Sequence, residues 1–357
     1  MTDKKIEELD PNFAQSKIEG DVHWHDIRKW GVEGQGWNDT ESAFDRLPKR
    51  AKGVVRERVW NLSQHASGLC VRFETNATAI NARWRLRNLE LAVAHMPATG
   101  VSGLDLYIRG DNGWHWVGAG RPARAPDNDV CLVSGLKPEC HEYQLYLPLY
   151  NGVERVAIGV HKDAVIGPAK ERTGQRRRPI CIYGTSVTQG GCASRPGMAF
   201  PAIVGRRLDR PVINLGFSGN GQAEPEMARL LAELDPVVYV IDCLANMNAK
   251  LTTERIEFMV TTLRTRHPKT PIVIMECLRR QNEEFVEANR ACSVSITAAM
   301  KTAFNRLQAG GVGGLHIVKA DDLLGNDGEG TVDSIHATNL GFLRMADVVT
   351  PVLASLV

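Results

Sequence analysis

Four short clusters in this 357-residue chain carry residue types that could act together in acyl transfer. Ser186 stands in Gly184-Thr-Ser-Val-Thr-Gln-Gly190, directly after a short apolar run. A Gly-flanked turn in that place displays a side chain at a sheet edge and turns backbone N–H groups outward. A serine hydroxyl becomes a useful nucleophile only if a base accepts its proton, and Asp333-Ser-Ile-His336 offers one. At that spacing the carboxylate can fold back onto the imidazole, fix its tautomer and stabilise the imidazolium formed during attack. A tetrahedral intermediate also needs N–H donors for its oxyanion, and losing one such donor costs about 10²–10³ in rate. Gly219, in Gly216-Phe-Ser-Gly-Asn-Gly221, can bring a bare backbone N–H close; Asn246, in Asp242-Cys-Leu-Ala-Asn246, can add a side-chain amide. Read singly, Ser186 could cap a helix, Gly219 could mark a plain turn and Asn246 could be a loop residue. The constellation carries more than any member.

These clusters need a scaffold that gathers them. Beyond Pro179, five short β-branched runs (Ile180–Tyr183, Val212–Leu215, Val237–Ile241, Ile272–Met275 and Leu315–Val318) read as buried parallel strands. Between them, Met227, Leu230, Leu231 and Leu234 follow helical spacing, as do Ile256, Met259, Val260 and Leu263. Alternating strands and helices predict a doubly wound α/β sheet, whose ligands bind at the carboxyl ends of the strands. Three of the clusters directly follow strands, and the Asp333–His336 cluster lies between the last strand and the closing helix. The loop after the first strand is not G-x-G-x-x-G, which leaves a nicotinamide-linked oxidoreductase remote.

The first half has a different period. Ile80, Ala82, Trp84 and Leu86 alternate with Asn81, Arg83 and Arg85, and the same period of two recurs at Leu104–Ile108, Tyr143–Leu147 and Val156–Val160. Gly110-Asp-Asn-Gly113 reads as a hairpin turn. A small antiparallel sandwich over 20–166 follows, with no helix required, then a polar linker over 167–178 and the α/β domain over 179–357. The Arg176–Arg178 run reads as part of a solvated connector.

Composition narrows the function further. Hydrophobic residues at 43% and charged residues at 24% exclude a disordered or fibrous chain. With 43 Lys+Arg against 41 Asp+Glu, the formal charge of +2 implies no nucleic-acid or anionic-membrane partner. No apolar run reaches the roughly 20 residues of a membrane span, and the start lacks the apolar core of a signal peptide, so a cytoplasmic protein is expected. The eight Cys form no C-x-x-C pair and show no zinc-type spacing, so they read as reduced thiols, with no metal called for. Cys192, six residues past Ser186, is a rival nucleophile without a His motif of its own.

In these motifs the chain resembles the SGNH hydrolases, or GDSL-type esterases. The resemblance places the nucleophile on Ser186, the oxyanion donors on the Ser186 N–H, Gly219 and Asn246, and the acid and base on Asp333 and His336. Tyr183–Gly197 and Asn214–Gly221 resemble the branch with an N-terminal β-sandwich, whose Gly-x-Asp-Leu-Tyr mark reads here as Gly103-Leu-Asp-Leu-Tyr107. Two departures stand out: Thr185 replaces the usual Asp before the serine, and the third block lacks Gly-x-Asn-Asp. The resemblance implies a flavodoxin-like five-stranded sheet behind a jelly-roll-like sandwich. It also implies a serine esterase working through an acyl-enzyme without a cofactor, most like carbohydrate esterases that remove acetyl groups from sugars. A broad small-acyl carboxylesterase or thioesterase, or a sugar-binding protein with an inactive hydrolase domain, are the rival readings. A small-molecule or oligosaccharide ester is the expected partner. Arg195 and Glu276, on loops at the catalytic edge, are candidates to orient it, and Trp114 and Trp116 are candidate stacking faces. The aromatic content of 6% gives little ground for a lipase cleft.

Overall fold

The computed structural model describes residues 20–357; the opening segment, read above for its lack of a signal-peptide core, lies outside the described residues. Nine strands form the first half: β1 (Val22–Asp26), β2 (Cys70–Thr75), β3 (Ala79–Leu86), β4 (Leu104–Gly110), β5 (Gly113–Gly120), β6 (Asp127–Ser134), β7 (His141–Tyr146), β8 (Val153–His161) and β9 (Ile166–Pro168). They make two antiparallel sheets, β1-β8-β3-β6 and β5-β4-β7-β2-β9. The period of two is the reason: Ile80, Ala82, Trp84 and Leu86 enter one core with Leu104, Leu106, Tyr143, Leu145, Val156 and Ile158. The Asp111–Asn112 turn closes the β4–β5 hairpin, with Gly110 opposite Gly113.

Two features depart from the period-two reading. A helix, α1 (Glu57–Ser63), buries Val59, Trp60 and Ser63, and a single turn, α2 (Ala98–Val101), follows later. The connector is also less free than its composition suggests. β9 extends into it and pairs with β2, Arg176 meets Asp209 at 3.2 Å, and Arg178 meets Asp235 at 2.7 Å.

In the second half β10 (Ile180–Gly184), β11 (Val212–Gly216), β12 (Val238–Asp242), β13 (Ile272–Met275) and β14 (Leu315–Val318) form a parallel sheet in the order β11-β10-β12-β13-β14. Helices α3 (Ser186–Gln189), α4 (Phe200–Leu208), α5 (Pro225–Leu231), α6 (Ala249–Arg266), α7 (Glu287–Ala309) and α8 (Asn339–Ala354) connect and flank it. Each strand is buried on both faces. Tyr183, Leu215 and Ile241 pack toward α5, α6 and α7, while Ile182, Val240 and Val273 pack toward α4 and α8. Because β10 lies between β11 and β12, strand order reverses at its carboxyl end, the place where open α/β sheets bind ligands. No helix among the described residues is long and apolar enough to cross a membrane.

Candidate active site

The carboxyl edge of the sheet gathers three of the four clusters through strand order, and hydrogen bonds bring in the fourth. Ser186 begins α3 directly after β10; Thr185 caps that turn, its hydroxyl accepting the Val187 N–H at 3.3 Å. Thr185 therefore serves the nucleophile turn as a cap, with no carboxylate involved. The Ser186 carbonyl accepts the Gly190 and Gly191 N–H groups at 3.0 and 2.7 Å and the Tyr150 hydroxyl at 3.3 Å, so the turn is fixed from both halves of the chain. Ser186 itself is 7% exposed.

Its Oγ lies 2.8 Å from His336 Nε2, and His336 Nδ1 lies 2.6 Å from Asp333 Oδ2. The Asp-x-x-His spacing folds as the sequence suggests. Asp333 Oδ1 accepts the N–H groups of Ile335 and His336 at 3.2 and 2.8 Å, which curls the loop so that the other oxygen faces the ring. Burial works to raise the Asp333 carboxyl, but the His336 ring and backbone hydrogen bonds outweigh it, and its pKa falls below the ordinary value. The carboxylate is thus charged where it faces Nδ1.

On one side of Ser186, Gly216 ends β11 where an added Cβ would sit 2.1 Å from the Gln189 N, so only glycine lets α3 lie against that strand. The Gln189 side chain then accepts the Ser218 N–H at 2.9 Å, steadying the next residue, Gly219, at a φ of +68°. Among the described residues no protein acceptor takes the Gly219 N–H. On the other side, Asn246 follows β12, and its Oδ1 accepts the Gly221 N–H at 3.2 Å. That bond spends the amide oxygen and leaves the NH₂ group to donate.

The remaining sequence candidates have partners elsewhere. Arg195 Nη1 donates to Asp105 at 2.8 Å and to the Tyr107 hydroxyl at 2.6 Å, and its guanidinium lies 5.0 Å from the Trp116 ring. The Asp-Leu-Tyr of the sandwich therefore takes up this arginine, with Asp105 also accepting the Gly197 N–H at 2.8 Å and the Trp116 indole N–H at 2.9 Å. Arg195 ties the loop after Ser186 to the sandwich. Glu276 is buried, 2.9 Å from Lys301 Nζ, and accepts the Ala320 N–H at 3.1 Å. It braces the end of β13 against α7 and the segment after β14. Trp116 is half exposed beside Arg195, and Trp114 packs near Tyr107 and Tyr146. Burial pushes the Cys192 thiol up to about 12, with Asp333 adding to the effect, which leaves it a neutral thiol and no rival nucleophile.

Two features escaped the sequence. Asp242, buried at the end of β12, accepts the Thr188 hydroxyl at 2.6 Å and so anchors α3; burial pushes its carboxyl up to about 7, against the pull of that hydrogen bond. A carboxylate closing a buried strand was the available signal. His95, from the sandwich half, places its ring 5.5 Å from that of His336, and no motif marks it.

The family profile described as GDSL-like lipase/acylhydrolase matches residues 177–354, and the profile of the N-terminus of SGNH-type esterases, GxDLY, matches 22–166. A solved structure described as a GDSL-like lipase, from Bacteroides ovatus, is 33% identical, with a TM-score of 0.89 over 94% of this chain and 98% of that one. A salicylyl-acyltransferase from a tetracycline biosynthetic pathway shares the fold at 15% identity and a TM-score of 0.75, over 94% and 97%. An acetyl xylan esterase from the rumen bacterium Butyrivibrio proteoclasticus shares it at 10% identity and 0.58, over 94% and 98%. A search of curated proteins finds no match.

Proposed function

Since the chain belongs to the GDSL-like lipase/acylhydrolase family and is a hydrolase, we propose that it is a serine esterase that removes acetyl groups from sugars or glycosides. The observation that carries this reading is the continuous Ser186–His336–Asp333 hydrogen-bond chain, at 2.8 and 2.6 Å. Ser186 Oγ attacks the ester carbonyl while His336 Nε2 takes its proton, and Asp333 stabilises the imidazolium. The Ser186, Gly219 and Asn246 donors hold the oxyanion; collapse expels the alcohol, protonated by His336, and leaves an acyl-enzyme. Water, deprotonated by His336, then releases the acid and restores the serine. No step calls for a metal or organic cofactor.

The low exposure of Ser186, 7%, is in keeping with a small acyl group such as acetyl. For the sugar, the support is by likeness of fold. The acetyl xylan esterase above shares the two-part architecture, as does a family two carbohydrate esterase from Clostridium thermocellum solved with cellohexaose.

The test is acetate release from p-nitrophenyl acetate and a panel of acetylated sugars, with Ser186→Ala beside wild type. Expected is a loss of several orders of magnitude in the variant and a preference for acetylated sugar over longer acyl chains. Equal rates in both proteins would remove Ser186 as nucleophile. Equal rates across acyl lengths would favour the broad small-acyl esterase.

A further inference from the structure

Besides Ser186 and Asp333, the His336 imidazole lies near His95 and Cys192, which come from opposite halves of the chain. His95 is exposed at the tip of a tight turn in which Val93 and Met96 exchange backbone hydrogen bonds of 3.2 and 3.0 Å, with Met96 buried as the anchor. Cys192 follows α3, its backbone at a φ of +73°, a conformation uncommon for any residue but glycine. One ligand atom from each of His95, Cys192 and His336 lies within 4.8 Å of the others. Two imidazoles and a thiol are the donor set of zinc and its borderline neighbours, not of magnesium or calcium.

We propose that His95, Cys192 and His336 form a site for a zinc-class divalent ion, and that its occupancy switches the enzyme off. Ligand atoms on one tetrahedral zinc stand roughly 3.3–3.6 Å apart. The three donors therefore close by about 1 Å, a movement open to the exposed His95 ring. Asp333 on Nδ1 already gives His336 the carboxylate–histidine arrangement that orients a metal-bound imidazole and raises its basicity. Coordination releases the Cys192 proton to solvent, and a water completes the fourth position. The metal takes the Nε2 lone pair that faces Ser186, so the hydroxyl loses its proton acceptor. The inhibition rests on His336 being the base proposed above; the binding does not.

Binding is measured first by calorimetric titration of zinc chloride into Ser186→Ala protein, where hydrolysis plays no part. One equivalent is expected to bind. Adding His95→Ala should weaken it at least about tenfold, since loss of an outer-shell partner alone costs about 10–100-fold. Cobalt(II) should give a sulfur-to-metal absorption that Cys192→Ser removes. In the wild type, zinc should suppress p-nitrophenyl acetate hydrolysis and a chelator should restore it. His95→Ala should keep the basal rate and raise the half-inhibitory concentration by the factor seen in binding. Zinc binding indifferent to both His95→Ala and Cys192→Ser overturns the proposal. A wild type inert on every ester, with His95-dependent binding intact, would sink the esterase reading and leave the metal site standing.

Discussion

Asn246 is where the sequence departs furthest from the family pattern, and its geometry makes the most exact claim. With Oδ1 held by the Gly221 N–H, the amide can give only its NH₂ group. Asn246→Ala is expected to lower kcat by about 10²–10³ and to leave KM within a few-fold, since the oxyanion exists only after attack. A matching loss in KM, or a kcat within a few-fold of wild type, would assign the donor elsewhere. The approach of Ser186, His336 and Asp333 to one another was legible because their relations are short-range or follow from strand ends. The partners of Arg195 and Glu276 were not. A long charged side chain on a loop takes whichever partner the tertiary fold supplies, here Asp105 and Tyr107, some 90 residues earlier in the chain, for one and Lys301 for the other.

At the level of elements, α3 matters most because it is one turn long and carries Ser186. A single turn holds poorly by its own hydrogen bonds; Gly216 packs against one side of it, and Thr188 pins it to Asp242. The Asp242 carboxyl, pushed up to about 7 by burial, gives this pin a pH signature. Between about pH 4, the ordinary carboxylate value, and pH 7, the folded chain holds a proton that the unfolded chain has released. The stability this group contributes therefore falls as pH rises through that window and changes little above it. Asp242→Asn keeps an acceptor for Thr188 and has no charge to bury, so its thermal midpoint relative to wild type should climb from about pH 5 to pH 8. Parallel curves would show that Asp242 ionises as it would in water. The five strands, and α5 and α6 between them, were readable from apolar runs and helical spacing because burial on both faces leaves few polar interruptions. The pin was not, because a carboxylate at a strand end reads equally as a solvated loop residue.

At the scale of the whole molecule, the two periods in the sequence suggest two independent halves, yet the core of the second is completed by the first. Trp37, Leu47, Val55, Val59 and Trp60 pack with Ile213, Leu215 and Phe217 in one cluster with α5 and α6. These residues precede most of the sandwich strands and lack their alternation, which is why a period-based reading leaves them as loop. Arg46 makes the join polar as well as apolar. Fully buried, it donates to the carbonyls of Asn214 at 3.1 Å and Gly216 at 2.8 Å on β11, and to Leu62 and His65 on its own side. Burial pushes its guanidinium down to about 9, still charged at neutrality. The strand end it clamps leads straight to Gly219. Arg46→Met keeps the apolar bulk and orphans the carbonyls of His65, Asn214 and Gly216, while that of Leu62 keeps the His65 N–H; each orphan costs roughly 1–3 kcal/mol where water cannot reach it. The variant should unfold at markedly lower denaturant concentration and, where still folded, lose kcat more than KM as the oxyanion loop drifts. Residues 179–357 made alone should fail to unfold cooperatively, because Ile213, Leu215 and Phe217 would face water. A cooperative, fully active 179–357 fragment would show instead that the α/β half closes its own core and that the sandwich serves another purpose. An Arg46→Met enzyme with wild-type kcat would separate the clamp from the chemistry, leaving it a matter of stability alone.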